Sequence, residues 1–128
     1  MSGERLYFPR SARLLKGAEY RKVYQEGRKF VSSLFAVFYR LAPLDGTARV
    51  GWSTPRALGK AVVRNRIKRR LREAVRLELS RLPPGWEVVF HPRRSAGEAD
   101  FSILRNEVAR FFDRLGTQRR DTAATHKL

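Results

Sequence analysis

The run from Val62 to Arg76, VVRNRIKRRLREAVR, decides most of what this chain is able to become. Val63, Ile67, Leu71, Ala74, Val75 and Leu79 recur at steps of three and four, the spacing of one apolar stripe on an α-helix. Six of the nine positions from Arg64 to Arg72 are cationic: Arg64, Arg66, Lys68, Arg69, Arg70 and Arg72. The stripe ties one face to a core, while the other faces carry charge that repels itself. An external polyanion offsets that repulsion, and nucleic acid is the expected one. The whole chain agrees, with 28 Lys and Arg against 12 Asp and Glu, a formal charge of +16 over 128 residues. Charge of this size attracts phosphate backbones over long range. Arg outnumbers Lys, and its planar fork fits phosphate oxygens and stacks on bases.

The length suits one domain with one modest core. Cysteine is absent, which removes disulfides and thiolate metal sites. The opening MSGERLYFPRSAR has no apolar run of signal-peptide length, and no segment approaches the roughly 20 apolar residues that span a bilayer. A soluble, cytoplasmic protein with no membrane association is expected.

Residues 1–13 are polar and basic without period and read as a flexible arm. A helix is predicted from Leu14 to Glu26, stopped by Gly27. Lys29 to Leu41 reads as one strand whose two faces are both partly apolar, as in a central strand. Ala42 to Gly46 is a turn cluster, and Ala48 to Thr54 a second strand, expected to pair antiparallel with the first. The basic helix is placed at 60–82 and ended by Pro83-Pro84-Gly85. Trp86 to His91 is a third strand, Pro92 to Asp100 a loop, and a last helix runs from about Glu98 to Leu115. Gly116 is expected to cap it, leaving 116–128 as a flexible tail around one domain at 14–115. These elements predict an α/β (α+β) sandwich, a small central sheet with helices packed on it. The link from the second strand through the basic helix is a crossover if the second and third strands are parallel.

Autonomous chemistry finds no support. His91 and His126 lie far apart, no paired-carboxylate or His-x-x-x-His spacing exists, and no catalytic or metal-binding residue is assigned. His91 is read as a structural or surface residue, and Glu87, Glu98 and Asp100 as solvated carboxylates flanking turns. Tyr20 and Tyr24 are four apart on one helical face. Core packing is the ordinary reading of such a pair. Their hydroxyls favour water or a polar partner, however, which suits a partly exposed platform for unpaired bases. Phe35 and Phe38 fall on opposite faces of the first strand, one toward the core and one toward the open face.

The run Arg64-Asn65-Arg66-Ile67-Lys68-Arg69-Arg70-Leu71-Arg72-Glu73 resembles the signature of the bacterial ribonuclease P protein component. Arg13-Leu14-Leu15-Lys16, Glu19-Tyr20 and Val23-Tyr24 with Gly27 resemble that family's first helix. Arg49 to Ser53, Gly59 to Val62 and Trp86 to Phe90 resemble its strands and the approach to its helix, so the likeness covers about residues 13–115. It implies a left-handed βαβ crossover through the basic helix, a ribosomal-protein-S5-domain-2-like fold. It also implies a subunit of a ribonucleoprotein endonuclease that removes 5′ leaders from precursor tRNA. There the RNA subunit is the catalyst, magnesium ions are held mainly by that RNA, and no organic cofactor or obligatory protein partner is involved. By position, Arg64, Asn65, Arg66, Lys68, Arg69 and Arg72 would meet the catalytic RNA. Tyr20, Tyr24 and Phe38 would line the cleft for the leader of precursor tRNA.

The chain departs from the family at Thr54-Pro55-Arg56-Ala57, and at His91-Pro92-Arg93-Arg94, where Ala-Arg is more usual. Arg93 or Arg94 then becomes the expected phosphate contact of that strand end. The alternative is a ribosomal or general RNA-binding assembly protein, which needs no open aromatic cleft. A DNA reader in the major groove fits less well, because the cations circle most of the helix, whereas sequence readers mix in Asn, Gln and Ser at base-facing positions.

Overall fold

A computed structural model describes residues 12–13, 17–42 and 46–127, with side chains to Thr117. Helix α1, Gly17–Glu26, leads into the hairpin β1, Arg28–Val31, and β2, Phe35–Leu41. Strand β3, Arg49–Trp52, precedes the basic helix α2, Ala61–Glu78. Strand β4, Trp86–Pro92, and helix α3, Phe101–Lys127, complete the chain. The sheet order is β1-β2-β4-β3.

The predicted strand from Lys29 to Leu41 is two strands. Ser32 breaks it: its hydroxyl accepts from the backbone N–H of Leu34 and Phe35, each at 3.2 Å, and Ser32 N donates to the Phe35 carbonyl at 2.8 Å. A serine whose hydroxyl closes its own turn marks the break. The expected antiparallel pairing of the strands at 35–41 and 49–52 is also corrected. Strand β4 lies between them, antiparallel to β2 and parallel to β3. The connection through α2 is therefore a crossover between parallel neighbours. Strand β2, flanked on both sides, alternates buried and half-buried residues, as a central strand does.

The basic helix ends at Glu78 and continues as a 3₁₀ turn, Leu79–Arg81, instead of running to 82. The predicted loop after β4 holds another 3₁₀ turn, Arg94–Gly97. Gly116 does not stop the last helix. It takes no positive φ, no proline follows, and α3 runs on through Lys127. The expected arm lies mostly outside the described residues, but at its end Ala12 is buried and Arg13 bridges to Val50. Leu14 to Lys16, the predicted start of the first helix, also lie outside them.

One sheet face carries Phe35, Val37, Val50, Val88 and Phe90 against Ile67, Leu71, Ala74 and Val75 of α2 and Leu104, Val108, Phe111 and Phe112 of α3. Each large side chain removed from water there contributes about 1.5–3 kcal/mol before entropy is counted. The predicted stripe holds in its middle only: Val63 is 37% exposed, and Leu79 is half-buried. Glu78 occupies the buried face beyond Val75. Burial alone would raise its pKa, but hydrogen bonds from Arg105 and Arg81 outweigh burial and hold the carboxyl below the usual range. Helix α1 covers part of the opposite face, where Val23 packs on Val89 beside Tyr20 and Phe38.

Gly27 makes this second layer possible. A Cβ there would lie 2.4 Å from the Val23 carbonyl oxygen and 2.5 Å from that of Tyr39. Its role is close backbone approach between α1 and β2, not a left-handed helix cap.

Candidate nucleic-acid interface

The basic helix starts with an unusual surplus of positive charge. Gly59, at φ 136°, turns the chain, and Lys60 follows at the N-cap with no side-chain cap. The first turn holds no acid, so free backbone N–H groups and the positive end of the dipole meet Lys60 and Arg64. Such an end favours a bound anion.

Beyond that turn the cations divide into two sets. Asn65, Lys68, Arg69 and Arg72 share the outward face with Val62, which is 75% exposed, around a shallow concavity of about 390 Å³. Arg64 and Arg66 flank it on either side. The second set is stapled to the turn after β4: Arg66 Nε donates to the Gly97 carbonyl at 3.0 Å, and Arg70 Nε donates to that of Ala96 at 3.1 Å. Arg70 also donates to the Ala99 carbonyl. Arg94 answers from the other side, with Nε donating to the Leu58 carbonyl at 3.0 Å. Anchoring at Nε fixes a guanidinium in direction and reduces the side-chain entropy lost when its outer nitrogens meet a phosphate. Arg66 and Arg94 face each other across a hollow of about 300 Å³ floored by Val63, Ile67 and Gly97. Sequence spacing named Arg66 but not its anchorage, because the partner lies 31 residues away.

The second surface is the sheet face beside α1. Tyr24 and Phe38 meet edge to face at 5.1 Å, and His91 completes the group, 5.5 Å from Tyr24 and 5.0 Å from Phe38. The Tyr24 hydroxyl lies 2.9 Å from His91 Nε2, and Lys29 Nζ stands 5.4 Å from the centre of the Phe38 ring. Burial, and then Tyr20, raise the Tyr24 hydroxyl pKa. Burial, and then Lys29, lower the imidazole pKa of His91.

The two tyrosines are not equivalent. Tyr24 is 39% exposed. Tyr20 is tucked over the backbone: a Cβ on Gly51 would lie 2.7 Å from its ring, and its hydroxyl accepts from Trp52 N at 3.3 Å. Gly51 thus reserves the space that Tyr20 fills.

At the far end of the same face, Arg49 and Arg40 clamp α1 to the sheet. Arg49 donates to Glu19 at 2.6 Å and Glu87 at 3.0 Å, while Arg40 donates to Glu26 at 2.6 Å and Glu87 at 3.0 Å. Glu87, expected to be solvated, is instead buried at the centre of this lattice. Its partners sit 38 and 47 residues away, so no local pattern announced it. Strand register likewise brings His91, read from the sequence as a structural or surface residue, beside Phe38 and Tyr24.

Among the described residues no group of three or more His, Asp or Glu is placed to hold a metal ion, and no helix is long and apolar enough to cross a membrane. The family model described as Ribonuclease P matches residues 8–116. A ribonuclease P protein component of Symbiobacterium thermophilum is 44% identical over 110 residues, covering 85% of this chain and 95% of that protein. One from Chloroflexus aggregans is 43% identical over 102 residues, covering 79% and 75%. Among solved structures, the RNase P protein of Thermotoga maritima superposes with a TM-score of 0.70 at 29% identity, covering 80% of this chain and 96% of that one. The Staphylococcus aureus RNase P protein gives 0.64 at 26%, covering 76% and 88%.

Proposed function

This chain belongs to the ribonuclease P protein family, and we propose that it serves its ribonucleoprotein by holding two RNAs on two faces of one domain. The outward face of α2, with Asn65, Lys68, Arg69 and Arg72 and flanked by Arg64 and Arg66, binds the catalytic RNA. Tyr24 and Phe38, with Tyr20 behind them, receive the single-stranded 5′ leader of precursor tRNA. The observation that carries this reading is the open aromatic group on the sheet face away from α2. A protein that only coats RNA has no use for it, whereas a substrate held against a ribozyme needs a second grip.

The protein contributes binding and orientation. Its buried carboxylates, Glu78 and Glu87, are committed to arginines, and no metal cluster is formed among the described residues. We assign the magnesium ions of the reaction to the RNA subunit. The site of action proposed is the cytoplasm.

Cleavage of precursor tRNA by the cognate catalytic RNA, at low magnesium, tests the whole reading. Adding the protein should raise cleavage, because its cations replace part of the ionic screening. The protein alone should cleave nothing. Cleavage unchanged by the protein, or cleavage by the protein without RNA, rejects the proposal.

The helix face has its own test. Lys68→Ala combined with Arg69→Ala should weaken binding to the catalytic RNA and lower the log–log salt slope by about 1 for each lost phosphate contact. The melting temperature should hold, since Ala favours helix and neither side chain staples another element. Arg66→Ala should instead lower both affinity and stability, because it frees the Gly97 carbonyl. An unchanged salt slope in the double variant would turn this face away from RNA.

A further inference from the structure

Strand register sets the end of β4 inside the aromatic cleft, with His91 beside Tyr24 and Phe38. Resting on the leader-cleft reading above, we propose that His91 is a specificity-determining residue that grips a leader phosphodiester through its imidazole and strengthens that grip on acidification.

The geometry leads there in three steps. The His91 ring is a wall of the cleft, held edge-on to both Tyr24 and Phe38 at 5.5 and 5.0 Å. Its Nε2 is engaged by the Tyr24 hydroxyl at 2.9 Å. The hydroxyl, which also bonds Ser53, accepts from or donates to Nε2 according to the tautomer, whereas Nδ1 has no hydrogen-bond partner among the described residues; once the ring takes up a proton, Nδ1 carries one in either case. A base stacked on Tyr24 and Phe38 carries its phosphate along the same rim. There Nδ1–H meets an acceptor oxygen, and Lys29 supplies a second positive charge.

The charge balance gives the sign. The groups that face His91 are Tyr24 from α1, with Tyr20 adjoining it, and Lys29 from β1; Ala36 and Phe38 from β2 and Val89 on its own strand are uncharged. Among the described residues no carboxylate faces it. Burial, and then Lys29, therefore lower the imidazole pKa in the free protein and favour its neutral form. A phosphate beside it acts in the opposite direction and raises its pKa. Leader binding then takes up a proton, so affinity for the leader must rise as pH falls from the bound-state pKa toward the lower free-state value.

The test uses the protein assembled with its catalytic RNA, and measures affinity for precursor and mature tRNA at fixed magnesium across pH. A pKa raised by one unit on binding corresponds to a tenfold change, so the precursor-to-mature ratio should rise up to about tenfold from about pH 8 to about pH 5.5. His91→Ala and His91→Phe should both flatten this profile; the Phe variant keeps an aromatic wall, so its melting temperature should stay near that of the parent. Tyr24→Phe breaks the bond to His91 but leaves the imidazole, and should retain the pH dependence. A parent ratio that exceeds one but ignores pH overturns the His91 proposal alone. So does a His91→Ala profile that matches the parent's. A profile lost equally in Tyr24→Phe reduces His91 to a support for Tyr24 and overturns direct contact. A ratio of one at every pH overturns the leader cleft itself.

Discussion

Leu71→Asp is expected to unfold the domain. Leu71 is fully buried, between Ile67 and Val75 on the face of α2 that meets the sheet and α3. An aspartate there brings a carboxylate into an apolar layer with no partner, at a cost of about 3 kcal/mol or more. Against a total of about 5–15 kcal/mol for a small domain, that loss leaves little reserve. Circular dichroism on heating should show a large drop in melting temperature or no transition. The contrasting variant is Val63→Asp, in the same stripe by spacing but 37% exposed, which should fold. A near-normal melting curve for Leu71→Asp would mean that α2 presents a different face to the core.

Tyr24→Ala should cost about 1–3 kcal/mol in binding precursor tRNA, the range for one base stacked on a ring. Mature tRNA, which lacks the leader, should bind as before, and the melting temperature should move little because Tyr24 stands at the edge of the layer. Tyr20→Ala should behave differently. It removes the ring over Gly51 and the acceptor for Trp52 N, so stability falls along with affinity. Equal losses for precursor and mature tRNA in Tyr24→Ala would remove the leader assignment.

Much of this was legible in the sequence because it is local. The stripe through Ile67, Leu71 and Val75 needs only helical periodicity, and the Pro83-Pro84-Gly85 stop needs only backbone chemistry. What escaped depends on contacts distant in sequence. Nothing near Arg49 says that β4 will insert between its strand and β2, because the pairing is set by how α2 docks. Nothing near Glu87 reveals the arginines that partner it where it is buried. The tyrosines resemble each other in sequence and separate only when Gly51 is seen beneath one of them. Gly116 misled in the opposite direction: a residue that often ends helices carries no obligation to do so when no left-handed turn or proline follows.

The position of β4 in the sheet has a consequence for how the molecule comes into being. Strands β2 and β3 share no edge, and Trp86–Pro92 is the neighbour of both. While a nascent chain is still short of Trp86, its hairpin has an open edge, β3 lacks the strand it pairs with and the basic helix has only the hairpin to lie on. Val89 and His91 of the cleft and the turn that staples Arg66 and Arg70 also arrive only with this last stretch. Pairings so distant in sequence close late. Both surfaces proposed to face RNA thus mature together once β4 is made, and a chain still short of it, already basic, has no finished site with which to engage either RNA.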